Sequence, residues 1–332
     1  MAGSDASVTP TGRASGEVVF HLSSYVLRKP FAERPLAFRK LHTLFETAGN
    51  RVVERVTVPQ TPIALAEGAL DLVWDVSAPT TGAFNLAPAY LPPFCYFDPR
   101  GVYGASSLAQ KAFQASDVPA QQAQARMRML KRFFKDKRES RIPQPQETET
   151  FPKNAIAVFL QGYSGPVERL KYVSEEDMLA AVLKDTGGRP VIIKPHPNTR
   201  DIETFDRLAA LADRPDVTIT FANIHDILDA CAMTVSVCSS VGVEGMIHEK
   251  PSIVFGRTDF HHCATSVTRA QDWPAARETA LQTDWPYGAF LSWLFDEHML
   301  NFWREDLGAQ VASKLAQRGI DPARFNLPQA DG

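Results

Sequence analysis

The sequence predicts an α/β protein of two Rossmann-like halves. Three observations predict it. Short apolar runs rich in Val and Ile recur along the chain, as parallel strands covered on both faces require. Segments of helical periodicity fill the gaps between them, the alternation that builds open α/β sheets. With 332 residues, 44% hydrophobic and 22% charged, the chain is long enough for each half to bury its own core.

The elements follow in order. Residues 1–16 are polar and read as a flexible tail. A strand is expected over Glu17–Tyr25, a helix over Pro35–Ala48, and strands over Arg51–Val58 and Leu70–Val76. Pro92, Pro93 and Pro99 punctuate a loop-rich stretch. Residues 106–141 read as helical with a break at Pro119, and 142–153, polar and Pro-rich, read as a linker. Strands are then expected at Ala155–Leu160, Pro190–Lys194, Val217–Phe221, Met233–Val237 and Ser252–Phe255. Ser174 caps a helix whose first turn is acidic. Asp201–Leu211, Ile224–Ala232 and Val241–His248 supply the other helices. Trp285–Gln317 reads mostly as amphipathic helix loaded with aromatics, with Pro286 at its start.

Charge and composition exclude several classes. A formal net charge of −3 gives no global basic excess, so no nucleic-acid partner is expected. Residues 126–141 carry eight Lys/Arg interleaved with Met and Phe. The favoured reading is a solvated helix with one packed face; the sharper one is contact with an anionic membrane surface. No apolar h-region opens the chain, and no run reaches the ~18 residues of a transmembrane helix. The expected location is therefore cytoplasmic, with any membrane role peripheral at the inner membrane. Four cysteines without a C-x-x-C pair read as reduced, buried thiols. A metal site from His261, His262 and Cys263 is disfavoured, because adjacent residues seldom converge on one ion.

Ligands in open α/β sheets bind beyond the carboxyl ends of the strands. That rule selects three segments. Gln161-Gly162-Tyr163-Ser164-Gly165 follows the first strand of the second half; its glycines admit close backbone approach, although alone it reads as a plain βα turn. Lys194-Pro195-His196-Pro197 holds an imidazole between two prolines, in a stiff extended segment suited to neutralising phosphate or moving a proton. Cys238-Ser239-Ser240-Val241-Gly242-Val243-Glu244 opens a helix, where free amides and hydroxyls favour an anion and Glu244 can accept from ribose hydroxyls; ordinary capping is the competing reading. In the first half, Asp98 is a candidate acid or an Asp-Pro turn initiator. His21, Ser23, Ser24 and Arg28 are candidates by position only. The P-loop, G-x-G-x-x-G and G-x-S-x-G motifs are absent, which disfavours P-loop NTPases, ordinary NAD enzymes and α/β-hydrolases.

Taken together, VFLQG (158–162), VIIKPHP (191–197) and the run from Ile224 to Phe260 with its S-S-x-G-x-E and Lys250-Pro251 resemble the capsule polysaccharide biosynthesis and export family. The ordered motifs cover about a third of the chain. The resemblance implies a GT-B-like architecture, with two Rossmann-like domains across a cleft. It implies a nucleotide site at Gln161, Gly162, Lys194, His196, Ser239, Ser240 and Glu244. Some relatives transfer Kdo, an eight-carbon acidic sugar, from its CMP-activated form. Many carry an aspartate about four residues after the glutamine; Gly165 stands there, leaving Glu168 as a shifted substitute and Asp98 as the leading acid by default.

The leading expectation is a glycosyltransferase of surface-polysaccharide synthesis, retaining or inverting. Its donor is a nucleotide sugar such as CMP-Kdo and its acceptor a glycan or lipid-linked glycan. Asp98, His196 and Glu168 are its catalytic candidates, and no metal or other cofactor is required. The boundaries expected on this reading are an acceptor-side domain over 17–105, a basic segment and linker over 106–150, a nucleotide-sugar domain over 151–265 and C-terminal helices over 266–332. Two alternatives stay open: a glycerophosphate transferase or sugar-nucleotide epimerase on the same scaffold, and an inactive nucleotide- or glycan-binding protein of capsule assembly.

Overall fold

The computed structural model describes residues 16–58, 61–74, 79–162, 168–199 and 202–328. The expected tail, apart from Gly16, and the positions Tyr163, Ser164 and Gly165 lie outside the described residues. The chain divides into two compact units, Met1–Trp74 with Arg304–Gly332, and Asp75–Trp303.

In the first unit, β1 (Glu17–Ser23) pairs in parallel with β2 (Arg51–Thr57) on one side and β3 (Leu70–Trp74) on the other. Val18, Val19, Phe20 and Leu22 of β1 are all fully buried, so both faces of this central strand are covered. The helix Leu36–Thr47 lays Phe38, Leu41 and Phe45 on one face, and Phe38 meets Phe20 edge-on at 5.0 Å. The chain returns through the helix Leu307–Ala316, and the Asn50 side-chain amide donates to the Phe325 carbonyl at 2.8 Å. β1 stops two residues short of Tyr25. The Ser23 hydroxyl accepts from the Val26 amide at 3.4 Å and starts a helical turn over Ser24–Leu27. His21 is buried at 2.6 Å from Asp71, and Arg28 is exposed.

The second unit begins with β4 (Phe84–Pro88) and β5 (Phe94–Asp98), an antiparallel pair where the prolines suggest loop. Alternation explains β5. Phe94 and Tyr96 enter a large aromatic cluster, while Phe97, from the opposite face, stacks on Phe84 at 4.3 Å. Six parallel strands follow: β6 (Ala155–Phe159), β7 (Val191–Lys194), β8 (Val217–Ile219), β9 (Cys231–Ser236), β10 (Ser252–Val254) and β11 (Thr265–Ser266). Their spatial order, β8-β7-β6-β9-β10-β11, is the doubly wound arrangement of dinucleotide-binding sheets. Ile156 and Val158 of β6 pack against Met178, Val182 and Val235, and Ala155, Ala157 and Phe159 pack against Ile224, Ile227 and Leu228 on the other face. The α/β fold with parallel sheets is thus the one the sequence predicts.

Three expectations need correction. The helix expected from residue 106 forms only over Ala120–Leu130, continued by a π turn through Lys135; short 3-10 turns precede it. Residues 142–153 hold neither helix nor strand, yet they are strapped to the sheet unit. The Ile224 amide donates to Gln144 at 3.2 Å, Asn223 to the Pro145 carbonyl at 2.9 Å, and the Glu149 amide to Asp226 at 2.9 Å. The C-terminal helix begins after Pro286 as expected, but breaks where β12 (Leu300–Asn301) pairs antiparallel with β5. The basic run is also spoken for in part: Arg126 pairs with Asp296, Lys131 with Glu249, Lys135 with Asp229 and Arg138 with Asp226.

Candidate functional site

Strand order locates the crevice. β6 and β9 are neighbours whose following connections diverge to opposite sides, and a ligand site opens beyond the carboxyl ends of strands at such a switch point. A cavity of about 400 Å³ lies there, within the second unit. Gln161, Gly162, Lys194, His196, Ser239, Ser240 and Glu244 all line it. Three segments separate in sequence therefore meet around one space. Gln161 stitches the crevice shut at its floor: its side-chain carbonyl accepts from the Cys238 amide at 3.0 Å, joining the ends of β6 and β9.

His196 sits half-buried at the end of β7. Its Nδ1 accepts from the Asn198 amide at 3.1 Å, so the neutral ring carries its proton on Nε2. Burial lowers its pKa, and the nearby positive charges of Arg141 and Lys194 lower it further. The ring is thus a neutral hydrogen-bond donor. Gly162 lets it lie flat against the neighbouring loop: a Cβ on residue 162 would stand 2.7 Å from His196 Nδ1.

Lys194 lines the cavity with its ammonium already engaged by the fold. Its ammonium donates to the carbonyls of Phe221 (2.9 Å) and Ala222 (2.6 Å), and burial brings its pKa down to about 8. It fastens the end of β7 to the chain leaving β8. Arg141 adds an exposed cation to the cavity and donates to the Tyr103 hydroxyl at 3.3 Å. Lys194→Met is expected to cost about 2 kcal/mol in chemical denaturation, because two carbonyls lose their donor.

The serine turn is also more occupied than its sequence implies. Ser239 Oγ accepts from the Val241 amide at 3.3 Å, the Ser239 amide donates to Ser236 Oγ at 3.2 Å, and the Gly242 amide to the Ser239 carbonyl at 3.1 Å. Amides expected to be free for an anion hold the turn itself. The hydroxyl protons of Ser239 and Ser240 are what remain for a ligand. Glu244 is 2% exposed, and its Oε2 has no hydrogen-bond partner among the described residues. Burial pushes its pKa up to about 8, against the pull of the Ser140 hydroxyl and Arg141. It is a neutral carboxyl at neutral pH, an acceptor and a donor at the cavity wall.

The two other acids stand apart. Glu168 is exposed and pairs with Lys171. Asp98 does not line the cavity; it staples the loop that follows β5. Its Oδ1 accepts from the amides of Arg100 (2.8 Å), Gly101 (3.1 Å) and Ser107 (3.0 Å), and its Oδ2 from the Ser107 hydroxyl at 2.6 Å. The turn-initiator reading describes Asp98, extended to a loop that only the fold reveals. Asp98→Ala is expected to destabilise the protein by about 3 kcal/mol in urea unfolding, since three amides lose a charged acceptor.

Sequence reasoning missed a second buried network. Asp259 is fully buried and accepts from Tyr96 (2.8 Å), Ser106 (2.8 Å) and Tyr90. Burial raises its pKa to about 6 against those three hydroxyls. Tyr90 lines the cavity, so this network sets its wall. The only available signal was an acid shortly after the end of β10. Another buried pair, His225 and His248 at 2.9 Å, ties the Glu139 carbonyl (2.8 Å from His225) to Asp229 (2.9 Å from His248), and so holds the segment that carries Ser140 and Arg141.

A family profile described as "Capsule polysaccharide biosynthesis protein" matches residues 168–304. That span contains His196, Ser239, Ser240 and Glu244 with the strands that place them. Two solved structures share the fold. KpsC from Thermosulfurimonas dismutans, titled a β-Kdo 2,4 transferase, is 18% identical over 85% of this chain and 90% of its own, with a TM-score of 0.50. The same organism's KpsC titled a β-Kdo 2,7 transferase is 14% identical over 83% and 89%, with a TM-score of 0.51. Both share the α/β fold seen here, the fold class expected from the capsule-family motifs. A Methanocaldococcus jannaschii UDP-GlcNAc 2-epimerase is more distant, at 10% identity over 82% and 96% and a TM-score of 0.37. No curated protein sequence matches the chain.

Proposed function

We propose that this protein is a glycosyltransferase of capsular or surface polysaccharide synthesis that takes a nucleotide-activated sugar, of the CMP-Kdo kind, in the cavity between β6 and β9. One observation carries the reading: the three strand-end segments of the capsule-family pattern converge on one cavity and present complementary groups there. The His196 Nε2 proton and the Ser239 and Ser240 hydroxyls suit phosphate oxygens, Arg141 supplies positive charge, and the neutral Glu244 carboxyl suits vicinal ribose hydroxyls. Developing charge on the departing phosphate is stabilised by donors already in place. The acceptor is a glycan or a lipid-linked glycan.

The test is thermal stabilisation by CMP, CDP, UDP, GDP and NAD. A selective rise with CMP, lost in His196→Ala, is expected; a bound nucleotide at 100 times its Kd stabilises by about 2.7 kcal/mol. Selectivity for CDP or UDP redirects the donor. No rise with any nucleotide removes the transferase reading.

A further inference from the structure

Four of the eight cations in residues 126–141, the run whose charge suggests a membrane surface, are paired with carboxylates inside the second unit. The first unit carries a different arrangement. Of the eleven large apolar side chains that stand exposed among the described residues, six lie in this unit, the smaller of the two. Tyr25 is 63% exposed and Val56 56%, and Phe31 and Leu36 are exposed as well.

Arg34 gathers these four residues. Its guanidinium donates to the carbonyls of Leu27 and Lys29, both at 3.1 Å, and to Glu54 of β2 at 2.7 Å, and it lies over the Phe31 ring at 5.9 Å. Leu27 ends the helical turn that carries Tyr25, and Leu36 opens the next helix two residues after Arg34. Val56 shares a face of β2 with Glu54 by alternation. The Arg34 side chain is itself largely buried, so it builds this surface rather than presenting charge on it.

Exposed apolar side chains gathered on one surface and rimmed by polar ones mark a place that meets a partner. Charge says which partner. Residues 24–40 hold five Lys/Arg and a single acid, Glu33. Arg28 and Arg55 are exposed and have no carboxylate partner among the described residues, and Lys29 sits 4.4 Å over the Tyr25 ring. Glu54 is held by Arg34. Apolar side chains flanked by unpaired cations suit a boundary where acyl chains lie beneath anionic headgroups. Tyr25, Phe31 and Leu36 project from turns and a helix start, not from one flat face. Such points enter a soft interface more readily than they match a rigid protein surface.

We infer that this face of the first unit docks on an anionic lipid surface, with Tyr25, Phe31 and Leu36 at the acyl boundary and Arg28, Lys29 and Arg55 on the headgroups. The inference does not depend on the transferase reading.

The test sediments the full chain with vesicles of phosphatidylcholine alone, and of phosphatidylcholine with about one third phosphatidylglycerol. Binding is expected only to the anionic vesicles and is expected to fall about tenfold or more on raising salt to about 0.5 M. Arg28→Gln combined with Lys29→Gln is expected to lower the partition coefficient about 25-fold, at about fivefold per cation. Tyr25→Ser is expected to lower it roughly tenfold, whereas Tyr25→Trp, which keeps an interfacial ring, binds at least as well as wild type. Melting temperatures of these variants are expected within about 2 °C of wild type, so lost binding is not lost fold. Arg128→Gln combined with Arg132→Gln, two exposed cations of the second unit, is expected to leave binding within about twofold. Full binding in the Arg28 and Lys29 variant, or loss of binding only in the Arg128 and Arg132 variant, overturns the choice of surface. A wild-type protein that ignores anionic vesicles at low salt, or sediments equally with neutral ones, overturns the lipid partner. Retention on immobilised polyglutamate without vesicle binding overturns it in favour of an acidic protein.

Discussion

His196→Ala is expected to lower glycosyl transfer by about 10²–10⁴-fold and to leave the melting temperature of the free protein within about 2 °C of wild type. The two halves of that expectation have separate causes. The imidazole is held between Pro195 and Pro197, lies against Gly162 and is kept neutral by burial, so its Nε2 proton is aimed before any ligand arrives. Losing a preorganised donor to a phosphate costs most in the transition state, where charge builds on the leaving oxygen. The fold loses little. The group that pairs with Nδ1 is the amide of Asn198, an exposed residue that water can satisfy. Gly162→Ala should mimic the loss in part by pushing the ring off its seat. A steady-state assay with calorimetry on the same samples separates the two readouts. Equal losses of stability and rate would mean that His196 builds the loop rather than meeting the donor.

The second large effect concerns pH. An unfolded glutamate ionises near 4.5, whereas burial holds Glu244 protonated up to about 8. Between those values the folded protein keeps a proton that the unfolded chain has released, so stability is full below about 4.5 and falls as pH rises toward 8. Asp259 contributes the same sign over a lower window, from 3.8 to about 6. Each unit of pKa displacement is worth about 1.4 kcal/mol, so Glu244 alone makes a difference on the order of several kcal/mol. The unliganded protein is expected to melt at progressively lower temperature from pH 6 to pH 8. Glu244→Gln, neutral at every pH, is expected to flatten that slope and to melt above wild type at pH 8. Parallel melting curves for the two proteins across this range would contradict a buried, neutral Glu244.

Much of this site was legible in the sequence because each part is local. An apolar run ending in KPHP marks a strand end by itself, and so does one ending before CSSVGVE; their convergence follows from the strand order that such runs adopt. What stayed hidden depends on partners distant in sequence. Lys194 looked like a free cation because nothing local shows that the carbonyls of Phe221 and Ala222 end beside it. Asp98 looked catalytic because its three amide donors come from a loop whose path the sequence does not specify. Asp259 gave little signal, since Tyr90, Tyr96 and Ser106 reach it from across the unit. The strand at Phe94–Asp98 was masked by flanking prolines, which report the turns and not the alternating run between them.

The first unit is assembled from both ends of the sequence, while the second is one continuous segment between them. During synthesis the order of completion is therefore inverted. The segment Asp75–Trp303 leaves the ribosome whole and can fold while the earlier unit still lacks Arg304–Gly332. Until those residues emerge, Phe45 has no Phe325 ring against it and the Asn50 side chain no Phe325 carbonyl. Until then the nascent β1–β3 layer keeps part of its apolar face uncovered.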